Sequence, residues 1–102
     1  MSTKSDARKY LEDLVGPLTM ASLLLTLREC DEVSQTKFAK KLGISKQTLC
    51  DIEKSRKAVS PARAARFASK LGFPPELFIK IALQEELKNE GLRLTVTHIE
   101  VA

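Results

Sequence analysis

The sequence predicts an all-α fold: a compact five-helix domain over residues 18–90, with an extra N-terminal helix within residues 1–17 and a strand-like tail over residues 91–102. Three observations lead to this prediction. Capping residues such as serine and threonine repeatedly precede stretches in which apolar residues recur three or four positions apart, as on one face of a helix. Glycine follows most of these stretches, where helices commonly end in a left-handed residue. A strand-like alternation of apolar and polar residues occurs at the C-terminal end alone.

The N-terminal segment, residues 1–17, is predicted to form a short amphipathic helix. Ser5 or Asp6 is a suitable cap, and Gly16 and Pro17 interrupt the helix. Its apolar residues recur at helical spacing: Ala7, Tyr10, Leu11, Leu14 and Val15. We expect this helix to be an appendage that packs on the core, on a partner or on a second subunit.

The domain itself begins with a helix over about Met20–Cys30, which Thr19 caps. Its leucines at positions 23, 24, 25 and 27 cover most of the circumference, as expected for a helix at the centre of the core. Ser34 caps a second helix, which Gly43 ends after Leu42.

A third helix starts about three residues after the second ends. Ser45 caps it, and its apolar Leu49 and Ile52 lie three positions apart on one face. Two helices joined by so short a glycine-containing turn cross at a steep angle. That geometry is typical of helix-turn-helix motifs, in which the second helix lies in the major groove of DNA. Ala39 fits this arrangement, since a small residue lets the two helices approach closely.

Two further helices complete the domain. Ser60 and Pro61 supply a cap and a first-turn proline for the fourth helix, which Gly72 ends. A Pro-Pro pair precedes the fifth helix, predicted over residues 76–89 and ended by Gly91. The apolar residues of this last helix form more than one stripe: Leu77, Phe78, Ile79, Ile81, Ala82, Leu83 and Leu87. We therefore expect one side of it to meet the core and another side a second subunit.

The C-terminal tail, LRLTVTHIEV over residues 92–101, alternates apolar with polar as far as Thr97 and contains neither glycine nor proline. This pattern favours a strand. An isolated strand leaves its backbone unpaired, and no other segment is an evident strand. The tail is therefore expected to pair with a second copy of the chain or with a partner's sheet edge, or to stay disordered when alone.

Basic residues are concentrated between Ser34 and Lys70. This segment has ten basic and two acidic residues, a local net charge of +8, whereas the whole chain carries +4. Such a segment gives salt-dependent, sequence-independent affinity for phosphates, to which base contacts add specificity. A basic run alone is commonly a solvated face. Its coincidence with the helix-turn-helix pattern favours DNA binding.

The motif closely resembles the lambda-repressor-like, Cro-type (XRE) helix-turn-helix family over roughly residues 19–83. The residues that carry the resemblance occur in the family's order: Gln35, Phe38, Ala39, Leu42, Gly43, Ile44, Ser45, Leu49, Ile52, Glu53, Arg56, Ser60 and Pro61. The resemblance implies that Gln35 contacts phosphate, and that Arg28 and Glu53 form a structural ion pair between the first and third helices. Glu32 departs from the glycine usual in the family, so we expect a slightly different loop there.

Base edges are met by the N-terminal part of the second helix in helix-turn-helix docking. The candidate base-reading residues are Ser45, Lys46, Gln47, Cys50 and Asp51. The candidate phosphate-binding residues are Gln35, Thr48, Lys54, Arg56 and Lys57. Gln47 suits adenine N6 and N7, Lys46 suits guanine O6 or N7, and Asp51 suits cytosine N4.

Composition argues against several other classes of protein. With 102 residues and 43% hydrophobic content, the chain is expected to form one small helical domain. No apolar run reaches the roughly 20 residues of a membrane span, and the first residues lack the apolar core of a secretory signal, so a cytoplasmic location is expected. Cys30 and Cys50 are expected to be free thiols that form no metal cluster with His98. The sequence has no phosphate loop and no paired His and nucleophile, so we expect neither an enzyme nor a cofactor.

The sequence therefore predicts a transcriptional repressor that binds an operator in double-stranded DNA as a homodimer, through half-sites about 34 Å apart. Its small size and its tail resemble the HigA-like antitoxins, which would repress their own operon and bind a toxin protein. Two alternatives remain open. One is a stand-alone or phage-type regulator without a toxin, and the other is a protein-interaction module that has lost DNA binding and adds its tail to a partner's sheet.

Overall fold

The structure is a computed structural model that describes residues 18–97. Within these residues the chain forms five helices: α1 (Met20–Cys30), α2 (Gln35–Leu42), α3 (Lys46–Glu53), α4 (Pro61–Leu71) and α5 (Pro75–Asn89). The predicted all-α, five-helix domain is confirmed for this part of the chain. α5 begins one residue before its predicted start, since proline suits the first position of a helix. The helix predicted within residues 1–17 lies outside the described residues.

Side-chain caps begin four of these helices. The hydroxyl oxygens of Ser34, Ser45 and Ser60 each accept the backbone N–H three residues later. At α1, Thr19 and Ser22 form a reciprocal pair in which each hydroxyl oxygen accepts the backbone N–H of the other at 3.1 Å. A cap of this kind contributes about 1 kcal/mol to helix stability. Short local contacts therefore determine where α1, α2, α3 and α4 begin.

One apolar core lies between the five helices. Its largest fully buried side chains come from every helix: Met20, Leu23, Leu24, Phe38, Leu42, Leu49, Ile52, Phe67, Phe78 and Ile81. α4 packs most extensively against α5, and α3 packs against both α1 and α2. Burial of each large side chain contributes about 1.5–3 kcal/mol. The core therefore holds α3 by its apolar side, and the polar side of α3 faces away from the core.

The loop between α1 and α2 contains a non-glycine residue in a left-handed conformation. Glu32 has φ = +54°. Its N–H donates to the Glu29 carbonyl at 3.0 Å, and the Val33 N–H donates to the Arg28 carbonyl at 3.2 Å. The β-carbon of an L-residue is strained in this conformation by about 1 kcal/mol. We expected a different loop where the family has glycine, whereas Glu32 itself adopts the conformation that glycine favours.

Residues 92–97, the described part of the predicted strand-like tail, form no strand, which corrects the prediction there. Residues 98–102 of the predicted tail lie outside the described residues. The side chain of Gln84 on α5 makes two hydrogen bonds to this segment. Its Nε2 donates to the Leu94 carbonyl, and its Oε1 accepts the Val96 N–H, both at 2.8 Å. A strand needs a neighbouring strand for its backbone groups, and here a side-chain amide takes part of that role. Leu92 and Leu94 remain 49% and 60% exposed.

Candidate nucleic-acid interface

The turn between α2 and α3 consists of Gly43, Ile44 and Ser45. Gly43 has φ = +77°, and the N–H of Ile44 donates to the Ala39 carbonyl at 3.0 Å. The side chain of Lys70 on α4 lies over this turn, since a β-carbon on Gly43 would be 3.4 Å from Lys70 Nζ. The left-handed backbone favours glycine at this position. The chain therefore changes direction within three residues, as the predicted helix-turn-helix geometry requires.

The side of α3 that faces away from the core is polar. Leu49 and Ile52 are buried, and positions 46, 47, 50, 51 and 54 follow one another around the opposite side of a helix with 3.6 residues per turn. Lys46, Gln47 and Lys54 are exposed, and the residues at positions 50 and 51 are half-buried. Most of the predicted base-reading side chains thus share one accessible surface, which we call the outer face of α3.

Two of the predicted DNA contacts, Ser45 and Thr48, bind each other at the start of α3. The Ser45 hydroxyl oxygen accepts the Thr48 N–H at 3.0 Å, and the hydroxyl donates its proton to Thr48 Oγ1 at 2.8 Å. The sequence predicts a base reader at Ser45 and a phosphate contact at Thr48. The structure uses both hydroxyls to hold the first turn of the helix, which leaves Ser45 without a proton to donate to a base.

Gln47 and Asp51 form a hydrogen bond on the outer face of α3. Gln47 Nε2 donates to Asp51 Oδ1 at 3.0 Å. The two residues are four positions apart, which brings their side chains together on a helix. The sequence assigns them to separate bases, but in the structure their polar groups are already connected.

Glu53, the last residue of α3, is held by two other helices. Arg28 of α1 donates from Nε to Glu53 Oε2 at 2.8 Å and from Nη2 to Glu53 Oε1 at 3.2 Å. Gln35 of α2 donates from Nε2 to Glu53 Oε1 at 2.7 Å, and Arg28 also donates to the Val33 carbonyl at 3.2 Å. The Glu53 side chain is 5% exposed and that of Arg28 is 19% exposed. The ion pair that the resemblance implies therefore lies largely inside the protein and joins α1, α2 and α3.

This ion pair raises the pKa of the Arg28 guanidinium above its usual value. The hydrogen bond to Glu53 is the largest cause, and the attraction of the Glu53 and Glu29 carboxylates adds to it, while desolvation by burial opposes both. Arg28 is consequently charged at every pH at which the folded protein would be studied. The end of α3 is therefore anchored by a permanent charge.

Gln35 is placed at the N-terminus of α2, but its side chain is engaged with Glu53. Its Nε2 keeps a second hydrogen. Its backbone N–H, like those of the other first-turn residues, has no partner within the helix. Helix N-termini bind phosphate through such N–H groups. The backbone of Gln35, rather than its side chain alone, is thus suited to the predicted phosphate contact.

The loop after α3 carries three exposed basic residues, Lys54, Arg56 and Lys57. The N–H groups of Arg56 and Lys57 donate to the Asp51 carbonyl at 2.8 and 3.3 Å, and Ser55 has a left-handed φ of +59°. These contacts fold the loop against the end of α3. The arrangement presents cationic side chains beside the outer face of α3, where contacts with flanking phosphates would position a reading helix.

The two cysteines are the remaining candidate residues within the described part of the chain. Cys50 is half-buried, Cys30 is exposed, and both are free thiols. Within residues 18–97 no three metal-ligating side chains are grouped so as to hold an ion. In the same residues no helix has the length and apolar character that crossing a membrane would require. His98 lies outside the described residues.

Several contacts of this interface are missing from the sequence prediction. The Gln47–Asp51 hydrogen bond has a sequence signal, since glutamine and aspartate four apart on a helix surface commonly interact. The Gln35–Glu53 hydrogen bond has none, because it joins residues 18 positions apart through the packing of two helices. The placement of Lys70 over the turn is equally non-local.

A family model described as a helix-turn-helix domain matches residues 19–78. The match starts at the residue that caps α1, includes α2, the turn, α3 and α4, and ends in the first turn of α5. The chain has no significant match among curated proteins or among solved structures.

Proposed function

The chain belongs to the helix-turn-helix domain family, and from that membership we propose that it is a sequence-specific DNA-binding transcriptional regulator of the lambda-repressor-like, Cro-type (XRE) branch. It represses by occupying an operator in double-stranded DNA. In this proposal α3 lies in the major groove, while α2 and the loop after α3 hold the phosphates on either side. The function is one of binding, without a catalytic step or a cofactor.

The outer face of α3 is the observation that supports the proposal most directly. It presents Lys46 and Gln47 to solvent, whereas Leu49 and Ile52 hold the opposite side in the core. The surrounding segment from Ser34 to Lys70 carries the local charge of +8. A protein-interaction module that had lost DNA binding would have no need of that charge, since it favours phosphates.

The contacts on the DNA follow from the donors and acceptors on that face. Lys46 is placed to donate to guanine O6 or N7, and Gln47 to bridge adenine N6 and N7. Arg56 and Lys57 are placed to neutralise phosphates, which adds affinity without sequence preference. Specificity should therefore depend on α3 and salt dependence mainly on the loop after it.

Binding measurements on variants test this division. The probes are a duplex selected from a random pool by the protein itself and a random-sequence duplex of equal length, each at several salt concentrations. Gln47→Ala should weaken binding to the selected duplex by about 1–3 kcal/mol, whereas Arg56→Ala should weaken both duplexes alike and reduce the salt slope by about one. Lys88→Ala, an exposed lysine on α5, is the matched control and should change neither. Equal losses on both duplexes for Gln47→Ala would contradict the assignment of α3 as the reading helix.

We also propose a homodimer formed through α5 and the tail, because a single α3 reads only one half-site. On α5, Ile79, Leu83 and Leu87 recur four apart and are only half-buried. Gln84 holds the tail against α5, and the tail's two leucines at positions 92 and 94 are exposed. Pairing these apolar surfaces across a two-fold axis would bring two copies of α3 to half-sites about 34 Å apart.

Light scattering tests the dimer. The full chain is expected to be a dimer and a chain ending at Gly91 a monomer. A monomeric full chain would refute the dimer, and a shortened chain that still dimerises would refute the part given to the tail.

We extend the proposal to an antitoxin that binds a toxin protein, supported by the resemblance to HigA-like antitoxins and by the exposed Leu92 and Leu94. The expected genetic context is a neighbouring reading frame for a small basic RNase-like protein. Expression of that protein alone should stop growth, and co-expression of this chain should restore it. Absence of any such rescue would leave the stand-alone or phage-type regulator as the function.

A further inference from the structure

The hydrogen bond between Gln47 and Asp51 has a direction that follows from chemistry alone. A carboxylate can only accept hydrogen bonds, whereas a glutamine amide has one end that donates and one that accepts. The contact of 3.0 Å must therefore involve the Gln47 NH₂ group, and Gln47 Oε1 must point away from Asp51. A flipped amide would set two oxygens against each other.

This orientation determines what Gln47 presents to a base. The outward Oε1 accepts a hydrogen bond, and the second hydrogen on Nε2 remains available to donate. That pair of groups matches adenine, whose N6 donates and whose N7 accepts in the major groove. A flipped amide would instead present the NH₂ group where the adenine N6 donor lies, which suits the O6 or O4 acceptors of guanine and thymine.

The charge of Asp51 makes a direct affinity role unsuitable. It is one of two acidic residues in the basic segment from Ser34 to Lys70. A negative charge on a surface that meets phosphates weakens binding to every sequence. A benefit that offsets this must come from discrimination between sequences.

We infer that Asp51 is a positioning residue that fixes the amide of Gln47 so that the pair reads adenine as one unit. The inference rests on the proposed DNA-binding function. It replaces the independent reading of two bases by Gln47 and Asp51 with a single reading that Asp51 controls through Gln47. Asp51 in this role discriminates chiefly by excluding guanine and thymine, not by adding affinity for adenine.

The test uses the full chain and four duplexes. Each duplex carries the sequence that the wild type selects from a random pool. The four differ only at the base pair where Gln47→Ala alters the base preference, and each has one of the four bases there. Four variants are compared: Gln47→Ala, Asp51→Asn, Asp51→Glu, and Gln47→Ala combined with Asp51→Asn. Asparagine has both a donor and an acceptor, so it tolerates either orientation of Gln47, whereas glutamate retains an acceptor-only group.

Asp51→Asn should leave affinity for the adenine duplex within about twofold. In this variant the Gln47 amide populates both orientations, which lowers the affinity for adenine about twofold. Loss of one negative charge about 8 Å from a phosphate in water raises the affinity about twofold. Affinity for the guanine and thymine duplexes should rise about tenfold, which removes most of the discrimination that one bidentate contact provides. Asp51→Glu should retain the adenine preference, and adding Asp51→Asn to Gln47→Ala should change the preference no further. Melting temperatures close to wild type would separate these effects from a loss of folding.

Three outcomes would overturn the inference while leaving DNA binding intact. The wild type could prefer guanine or thymine at this base pair, or Asp51→Asn could keep the adenine preference unchanged. Asp51→Asn could also lose affinity tenfold for the adenine duplex alone, which would mark Asp51 as a direct base contact. A wild-type protein that selects no duplex over random DNA would instead refute the proposed function, and the inference with it.

Discussion

Removal of Arg28 should destabilise the protein far more than removal of an ordinary surface arginine. Among residues 18–97, Arg28 supplies two of the three side-chain hydrogen bonds received by Glu53, at 2.8 and 3.2 Å, and Gln35 supplies the third. In Arg28→Ala the Glu53 carboxylate, 5% exposed in the native structure, would be left inside the protein with one donor. Breaking a buried ion pair in this way costs about 3–5 kcal/mol.

The lower end of that range is expected, about 3 kcal/mol. Gln35 still donates to Glu53, and Arg28 is 19% exposed, so water can partly replace it. Domains of this kind are stable by about 5–15 kcal/mol, so the variant should still fold. Its melting temperature should fall by roughly 12–24 °C, since 1 kcal/mol corresponds to about 4–8 °C for a domain of this size.

Denaturant unfolding followed by helical circular dichroism measures the effect. Arg66→Ala is the matched control, since Arg66 is an exposed arginine on α4 and its loss should change the free energy of unfolding by no more than about 0.5 kcal/mol. Replacing both partners, with Arg28→Met and Glu53→Leu, should recover much of the loss because no buried charge is left without a partner. The cost of Arg28→Ala should also persist at about 1 M salt, where exposed pairs are screened.

A loss below about 1 kcal/mol for Arg28→Ala, or one that disappears at high salt, would place the pair among surface salt bridges and refute this reasoning. The pH dependence gives a second check. The folded-state pKa of Arg28 is raised, so the stability it contributes is fully present below the unfolded pKa and is lost only as pH rises through the folded one. Because arginine titrates far above neutrality, the difference between Arg28→Ala and wild type should show no arginine titration near neutral pH.

Two further predictions concern the loops. Glu32→Gly should stabilise the protein by about 0.5 kcal/mol, since relief of left-handed strain exceeds the added entropy of the unfolded chain. The control Glu29→Gly, at the exposed end of α1, should destabilise it by about 1 kcal/mol. Thermal unfolding measures both variants, and changes of the same sign would show that Glu32 is not strained. Gln84→Ala should speed tryptic cleavage after Arg93 about fivefold, because it removes both hydrogen bonds that hold the tail at a net value of about 1 kcal/mol. Glu86→Ala, exposed on the same helix, should leave the release of the C-terminal peptide unchanged, and an equal rate in Gln84→Ala would show that these bonds do not restrain the tail.

The helices could be predicted from the sequence because their signals are local. Each serine or threonine cap acts on an N–H three residues away, and Gly43 ends α2 through its own backbone conformation. The outer face of α3 follows in the same way from the spacing of Leu49 and Ile52. Contacts between residues only a few positions apart depend on the local sequence alone, so residue patterns and helix propensities suffice to predict them.

The path of the tail and the contribution of Gln35 to the support of α3 could not be predicted, because both depend on tertiary packing, whereas the Arg28–Glu53 pair is implied by the family resemblance. The alternation in residues 92–97 favours a strand, but a strand also needs a partner, and the partner of this segment is the side chain of Gln84 on α5. Gln35 likewise donates to Glu53 only because α2 and α3 cross where they do. A polar side chain can form hydrogen bonds with water, with the backbone or with other side chains. Sequence spacing predicts the partner only when both residues lie on one helix.

Both ends of α3 are held by protein contacts, and this restricts where specificity can reside. Ser45 and Thr48 bind each other at its start, and Glu53 is held by α1 and α2 at its end. Changes at these three residues should therefore alter the stability or the angle of the whole helix. Their effect on binding should be similar for every DNA sequence.

The residues between those ends should behave in the opposite way. Lys46 and Gln47 are exposed, and the Asp51 side chain bonds only to Gln47 within residues 18–97, so changing them should shift stability by no more than about 0.5 kcal/mol. A chain in which Lys46, Gln47 and Asp51 are exchanged together should keep its melting temperature and select a different duplex from a random pool. Glu53→Ala should select the same sequence as the wild type but melt at a lower temperature. A different selected sequence in Glu53→Ala would contradict the assignment of Glu53 to the support of α3. An unaltered selected sequence in the exchanged chain would contradict the assignment of the other three residues to base recognition.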